Sequence, residues 1–273
     1  MTYQFAKGYP KGEFLLPSVT KIIGDFSDKS KVRALTQWSA NQVVAWVKLN
    51  CAKTKGNFPH YRVNDEQLNQ ARFNFRDVSD TALEVGSAVH KLAEEYLLAG
   101  VHKKTTRFSI SKDQSVKNGF DAFLTWMDEN KVEPIAVEET VYSDYSAGTL
   151  DLRCWLQMKE WSMRKMYVID FKTSKAIYAS DYGPQIAAYR AAKQKELQEE
   201  WDGYDKENFS GIYEASLITG CGILRLDKET GLPEWKDFSD RYEKDLKVFN
   251  KMVELYMLRH KIIANKAGWK ESV

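Results

Sequence analysis

Apolar positions along the chain change period twice. From Lys31 to Asn50, Val32, Leu35, Trp38, Val43, Val44 and Val47 recur at helical spacing, behind a helical start at Ser18-Val19-Thr20. Residues 51–63 read as a loop around Gly56 and Pro59. A helix over about 80–99 follows, capped by Asp80 and stopped by Gly100. A further helix spans roughly 111–130, with Phe120, Phe123, Leu124 and Trp126 as its apolar members. After Pro134 the period falls to two, so Ile135–Ser143, Gly148–Gln157 and Met166–Lys172 read as strands. Tyr182–Glu200 is a helix with Pro184 in its first turn, where proline is tolerated. Gly211–Thr219 and Gly222–Leu226 form a hairpin around Gly220, and a long amphipathic helix runs from Ser239 to Ala264. The first seventeen residues read as a loosely ordered lead-in. Helices, a strand cluster with one embedded helix, and helices again give a mixed α/β protein.

A length of 273 residues is compatible with one domain, mainly helical over 1–130 and sheet-based over 131–273. A net charge of +2 neither requires nor excludes a polyanionic partner, because a basic groove fits inside a neutral total. No apolar run reaches membrane-spanning length, and the N-terminus lacks a secretory pattern, so a reducing cytoplasm is expected. That would be the host-cell cytoplasm if the chain is phage-encoded. Cys51, Cys154 and Cys221 are widely spaced and read as small buried hydrophobes.

Four places carry chemistry. In Val168-Ile169-Asp170-Phe171-Lys172, Asp170 and Lys172 lie two apart and share a strand face. An acid and an ammonium on an apolar strand are costly to bury unless paired or metal-bound. Asp151, in Gly148-Thr149-Leu150-Asp151, is a second acid within an apolar strand. Two such carboxylates repel unless a divalent cation lies between them, and their oxygens suit Mg²⁺ or Mn²⁺. Glu138 offers a third acid from the preceding strand, with Glu139 as the alternative on the opposite face. His90 shares a helix face with Gly86, Ala93 and Leu97; alone it reads as a core histidine, beside two acids as a ligand. Gln185 and Tyr189, four apart among small alanines, present a polar pair on one face of the following helix.

In order, His90, Glu138, Gly148-Thr149-Leu150-Asp151, Ile169-Asp170-Phe171-Lys172-Thr173-Ser174 and Gln185-x-x-x-Tyr189 resemble the RecB-like branch of PD-(D/E)xK nucleases. The stretch Leu16–Ile23 with Trp38 also resembles that branch's N-terminal helical motif. The likeness spans about residues 16–190. It departs at Leu150, which stands in the place of the proline of the family name, and in lacking the cysteine set of iron–sulfur relatives. The resemblance implies a restriction-endonuclease-like mixed sheet flanked by helices, with a helical N-terminal portion. It implies His90, Asp151, Asp170 and the main-chain carbonyl of Phe171 as ligands for Mg²⁺ or Mn²⁺, Lys172 orienting the attacking water, and Gln185 and Tyr189 fixing Lys172 or a phosphate oxygen. No iron–sulfur cluster is expected. A second metal near Glu138 is compatible with the pattern.

The expected activity is metal-dependent DNA exonucleolysis on ends or single strands, in replication, recombination or repair, with DNA and a protein of such a system as partners and no membrane. A structure-specific endonuclease of the same fold and a non-catalytic DNA-binding subunit are the alternatives. Lys29, Lys31 and Arg33, and His102, Lys103, Lys104 and Arg107, are candidate phosphate contacts. Trp38 and Trp46 are candidate stacking groups, although tryptophans on an amphipathic helix are more often core.

Overall fold

The computed structural model describes residues 9–11, 14–26, 29–56, 58–101, 112–201, 217–260, 262–265 and 268–271. It divides into two compact units, Ser27–Ala88 and the remainder.

The larger unit is α/β. Its five-stranded mixed sheet is flanked by helices, as in a restriction-endonuclease-like core. The strands are β3 (Lys131–Tyr142), β4 (Ala147–Gln157), β5 (Lys165–Lys172), β6 (Gly220–Leu226) and β7 (Pro233–Asp237), adjacent in that order. All neighbours are antiparallel except β5 and β6, which run parallel because α5 (Ala179–Trp201) lies in the connection between them. Two small antiparallel pairs lie outside this sheet: β1 (Tyr9–Lys11) with β2 (Phe14–Leu16), and β8 (Ile262–Asn265) with β9 (Gly268–Glu271).

Helices α1 (Val19–Gly24), α5 and α6 (Tyr242–Arg259) bury Val19, Ile22, Ile186, Tyr189, Phe249, Val253 and Tyr256 against Leu150, Val168 and Ile223 on one face of the sheet. Ser18 caps α1, its hydroxyl accepting from the Lys21 amide at 3.1 Å. The other face receives α4 (Gln114–Glu129), whose Phe123 meets Phe171 edge-on at 5.6 Å and whose Trp126 meets Trp235. The C-terminal half of α3 (Asp65–Val101) packs closely on α4: a Cβ at Gly119 would stand 2.6 Å from Val89.

The smaller unit holds α2 (Lys29–Asn50), the loop after it and the first half of α3. Asn74 Nδ2 donates to the Gln42 carbonyl at 3.1 Å and ties the helices together. Val32, Leu35 and Val44 are exposed, since a helix pair buries only one side of each member. Trp38 and Trp46 are half-buried, and Arg33 is exposed. The side chains of Lys29 and Lys31, and all of His102–Arg107, lie outside the described residues.

Several boundaries differ from the sequence reading. Helix α3 begins at Asp65 rather than near Asp80, because Asn64 and Gln67 form a reciprocal box: Gln67 N donates to Asn64 Oδ1 at 2.8 Å and Asn64 N to Gln67 Oε1 at 3.0 Å. Helix α5 starts a turn early, at Ala179, which moves Pro184 into its second turn. The antiparallel partner of β6 is β7, through Asp227–Leu232, not residues 211–219. Both edges of β6 are taken by β5 and β7, and residues 211–216 lie outside the described residues. The last long helix runs only from Tyr242 to Arg259, and residues 262–265 are a strand. The lead-in contains the β1–β2 pair and the buried Leu16. Pro134 stands inside β3, tolerated because β3 is an edge strand whose register shifts there. All three cysteines are free and buried. Among the described residues no helix is long and apolar enough to cross a membrane.

Candidate metal centre

The β4–β5 ladder stops at Leu152↔Ile169, before β5 has ended. Beyond that point Asp151 Oδ2 accepts the Phe171 amide proton, so a carboxylate takes a donor that a continued ladder would have used. Side-chain alternation also slips here. Leu150 lies in the core against α5, and Arg153, three residues on, reaches that same side through Glu139 and Lys193. The β3–β4 pairing skips the Glu138/Asp151 pair, and Glu138 adopts the left-handed region at φ 50°. For a non-glycine residue that conformation costs on the order of 1–3 kcal/mol. The irregularity sets the buried Asp151 beside the exposed Glu138.

Asp151 therefore faces His90, whose Nδ1 lies 3.4 Å from Asp151 Oδ1. His90 sits on the α3 face that buries Ala93 and Leu97, and its ring meets Phe171 edge-on at 6.0 Å. Ligand atoms of His90, Glu138 and Asp151 all fall within 4.8 Å of one another. Glu139 faces the other way, bound bidentately by Arg153 at 2.8 and 3.1 Å and by Lys193 at 2.8 Å. Of the two glutamates, only Glu138 adjoins the cluster.

Asp170, 3% exposed, ion-pairs with Lys172 and accepts from Gln185 Nε2 at 3.0 Å. Gln185 Nε2 also contacts the Tyr189 hydroxyl at 3.2 Å. Tyr189 in turn lies over Gly148, where a Cβ would come within 2.3 Å of its ring. Gln185 is thus bound to Asp170 and not to Lys172. The Lys172 ammonium stands over the Tyr182 ring at 5.1 Å. Asp151 and Asp170 each have a positive or donating partner inside the protein, so their mutual repulsion is offset without an ion.

Electrostatics follow from this enclosure. Burial first, then the Asp151 charge, pushes the Asp170 carboxyl up to about 6 although Lys172 and His90 pull it down. Burial and the charges of Asp151 and Glu94 push Glu138 up to about 7, against the pull of His90. For His90, burial disfavours the charged form, but Asp151 and Asp170 outweigh it and hold the imidazole above its ordinary value. Glu94 was not found from sequence. Its signal was available, since it lies four residues after His90 on the same helix face. Tyr182 was likewise read only as the start of a helix.

Glu138 and Asp170 hold their protons more tightly folded than unfolded. The stability they confer is complete below about pH 4 and is lost as the pH rises through about 6 and 7. In EDTA, the melting-temperature gain of Glu138→Gln over wild type is therefore expected to grow between about pH 5 and pH 8. Mn²⁺ is expected to stabilise wild type more at the upper end of that range. A pH-independent difference between the two proteins would disprove the assignment to Glu138.

The sequence matches no protein-family model and no curated protein.

Proposed function

We propose that this protein is a divalent-metal-dependent deoxyribonuclease that hydrolyses phosphodiester bonds at DNA ends or on single strands, in replication, recombination or repair. The observation that carries the reading is that Asp151 gathers His90 and Glu138 into one cluster while, on the adjacent strand, Asp170 pairs with Lys172 where the sheet pairing opens. The donor set fits Mg²⁺ or Mn²⁺: hard carboxylate oxygens with one imidazole, clustered within reach of a single ion. His90, Glu138 and Asp151 would hold the ion, and the resemblance adds Asp170 and the Phe171 carbonyl. When bound, the metal supplies charge stabilisation at the phosphoryl oxygens and lowers the pKa of water.

Lys172 places a positive charge where negative charge grows as the P–O bond breaks. Asp170 holds that ammonium, Gln185 holds the Asp170 rotamer, and Tyr189 holds Gln185 against the Gly148 backbone. The hydrogen bond that the Phe171 amide donates to Asp151 fixes the carboxylate relative to β5.

Incubation of linear and circular single-stranded DNA with Mg²⁺ tests the reading. Loss of the linear form alone is the expected result. Loss of both would make the enzyme an endonuclease, and survival of both would leave a DNA-binding subunit.

His90→Ala separates a ligand from a packed core residue. Activity is expected to fall at low metal and recover in part as Mn²⁺ is raised, because imidazole favours Mn²⁺ over Mg²⁺. A lowered melting temperature with an unaltered metal profile would remove His90 from the centre.

A further inference from the structure

Residues 29–64 contain seven Lys or Arg and no Asp or Glu, in a chain that averages one acid in every seven residues. The whole stretch lies in the smaller unit, Ser27–Ala88. Arg33, Lys48, Lys53, Lys55 and Arg62 are exposed. The loop between α2 and α3 is pinned rather than loose. Thr54 N donates to the His60 carbonyl at 2.8 Å, His60 N to Thr54 Oγ1 at 2.9 Å, and Arg62 N to the Ala52 carbonyl at 3.0 Å. Within it, Gly56 turns the chain at φ 137°, and Pro59 follows Phe58. Phe58 is 91% exposed on this fixed support, flanked by Lys53, Lys55 and Arg62. On α3, Arg72 and Arg76 bracket the ring of Phe73 at 5.3 and 4.9 Å.

We infer that the Ser27–Ala88 unit is a binding platform for single-stranded nucleic acid, in which Phe58 stacks on a base and Lys53, Lys55 and Arg62 contact phosphates. The positive charge of the acid-free stretch 29–64, within a unit of nine Lys or Arg against six Asp or Glu, favours a polyanion. A rigidly presented aromatic ring needs an unpaired base face, which a duplex does not offer. The Arg72–Phe73–Arg76 group provides a second surface of the same kind, since guanidinium planes and aromatic rings both stack on bases. The choice of nucleic acid over an anionic membrane rests on the nuclease reading.

The test is fluorescence anisotropy of labelled oligo(dT) in EDTA, where nothing is cut. Phe58→Ala is expected to weaken binding by about 5- to 50-fold, and Phe58→Trp to retain it. Replacing Lys53, Lys55 and Arg62 together by Ala is expected to lower the slope of log affinity on log salt by about 2, given ~0.7 per single-strand phosphate contact. Melting temperatures should not move, because these side chains project into solvent. Wild-type affinity in both variants overturns the inference. So does tighter, Phe58-dependent binding to phosphatidylserine vesicles that oligo(dT) fails to displace.

Hydrolysis of bis(p-nitrophenyl) phosphate with Mn²⁺ keeps the two readings apart, because so small a diester needs no platform. Phe58-dependent oligonucleotide binding without any hydrolysis sinks the nuclease reading alone. Hydrolysis with binding indifferent to Phe58 sinks the platform alone.

Discussion

Asp170→Asn is expected to lower DNA hydrolysis by roughly a thousandfold or more, about 4 kcal/mol of transition-state stabilisation. The amide keeps the size of the carboxyl and an oxygen for the Gln185 bond, but it removes the charge that pairs with Lys172. Oligonucleotide binding in EDTA should persist, so that loss of turnover is not loss of substrate. Without metal and above about pH 6 the variant should be at least as stable as wild type, because the amide stands for the protonated carboxyl that the buried site favours. A clear loss of stability would instead mean that the Lys172 ion pair outweighs burial and the Asp151 charge at Asp170. Single-turnover rates and urea unfolding in EDTA measure both effects. Digestion near the wild-type rate would take Asp170 out of the site.

Lys172→Ala is expected to reduce turnover by about 10²–10³-fold while leaving metal binding intact. The lysine is no ligand; it neutralises one. Once it is removed, Asp170, already raised to about 6 by burial, titrates higher still, so the assay belongs at about pH 8, where the carboxylate remains ionised. There, calorimetric Mn²⁺ titration should give binding equal to wild type or tighter, because Asp170 no longer shares its charge with an ammonium. A parallel collapse of Mn²⁺ affinity would show that Lys172 acts by holding the Asp170 carboxylate in place, and would move its role from chemistry to architecture.

Much of the centre was legible because it is written in short-range pattern. Asp170 and Lys172 share a strand face by the period of two, and Gln185 and Tyr189 share a helix face by the period of 3.6. Gly148 leaves the space that the Tyr189 ring fills. The Asn64–Gln67 box was equally local and could have placed the start of α3.

Sequence by itself determined the strands β3, β4 and β5, the embedded helix after them, the mixed α/β class and the inward acids, since each depends on neighbours a few residues away. Tertiary structure alone decided which strand lies beside which. The sequence pattern of β6 is compatible with a partner on either side, but only a crossover through α5 sets it parallel to β5 and leaves β7 as its hairpin mate. It also chose Glu138 over Glu139, through a left-handed residue at φ 50° and ties from Arg153 and Lys193, contacts spanning 14 and 54 residues of chain. The partner of Gln185, the closeness of His90 to Asp151 and the exposure of the apolar positions on α2 are likewise set by packing. Periodicity gives the direction of a side chain from its own element, and only the arrangement of elements says what stands opposite.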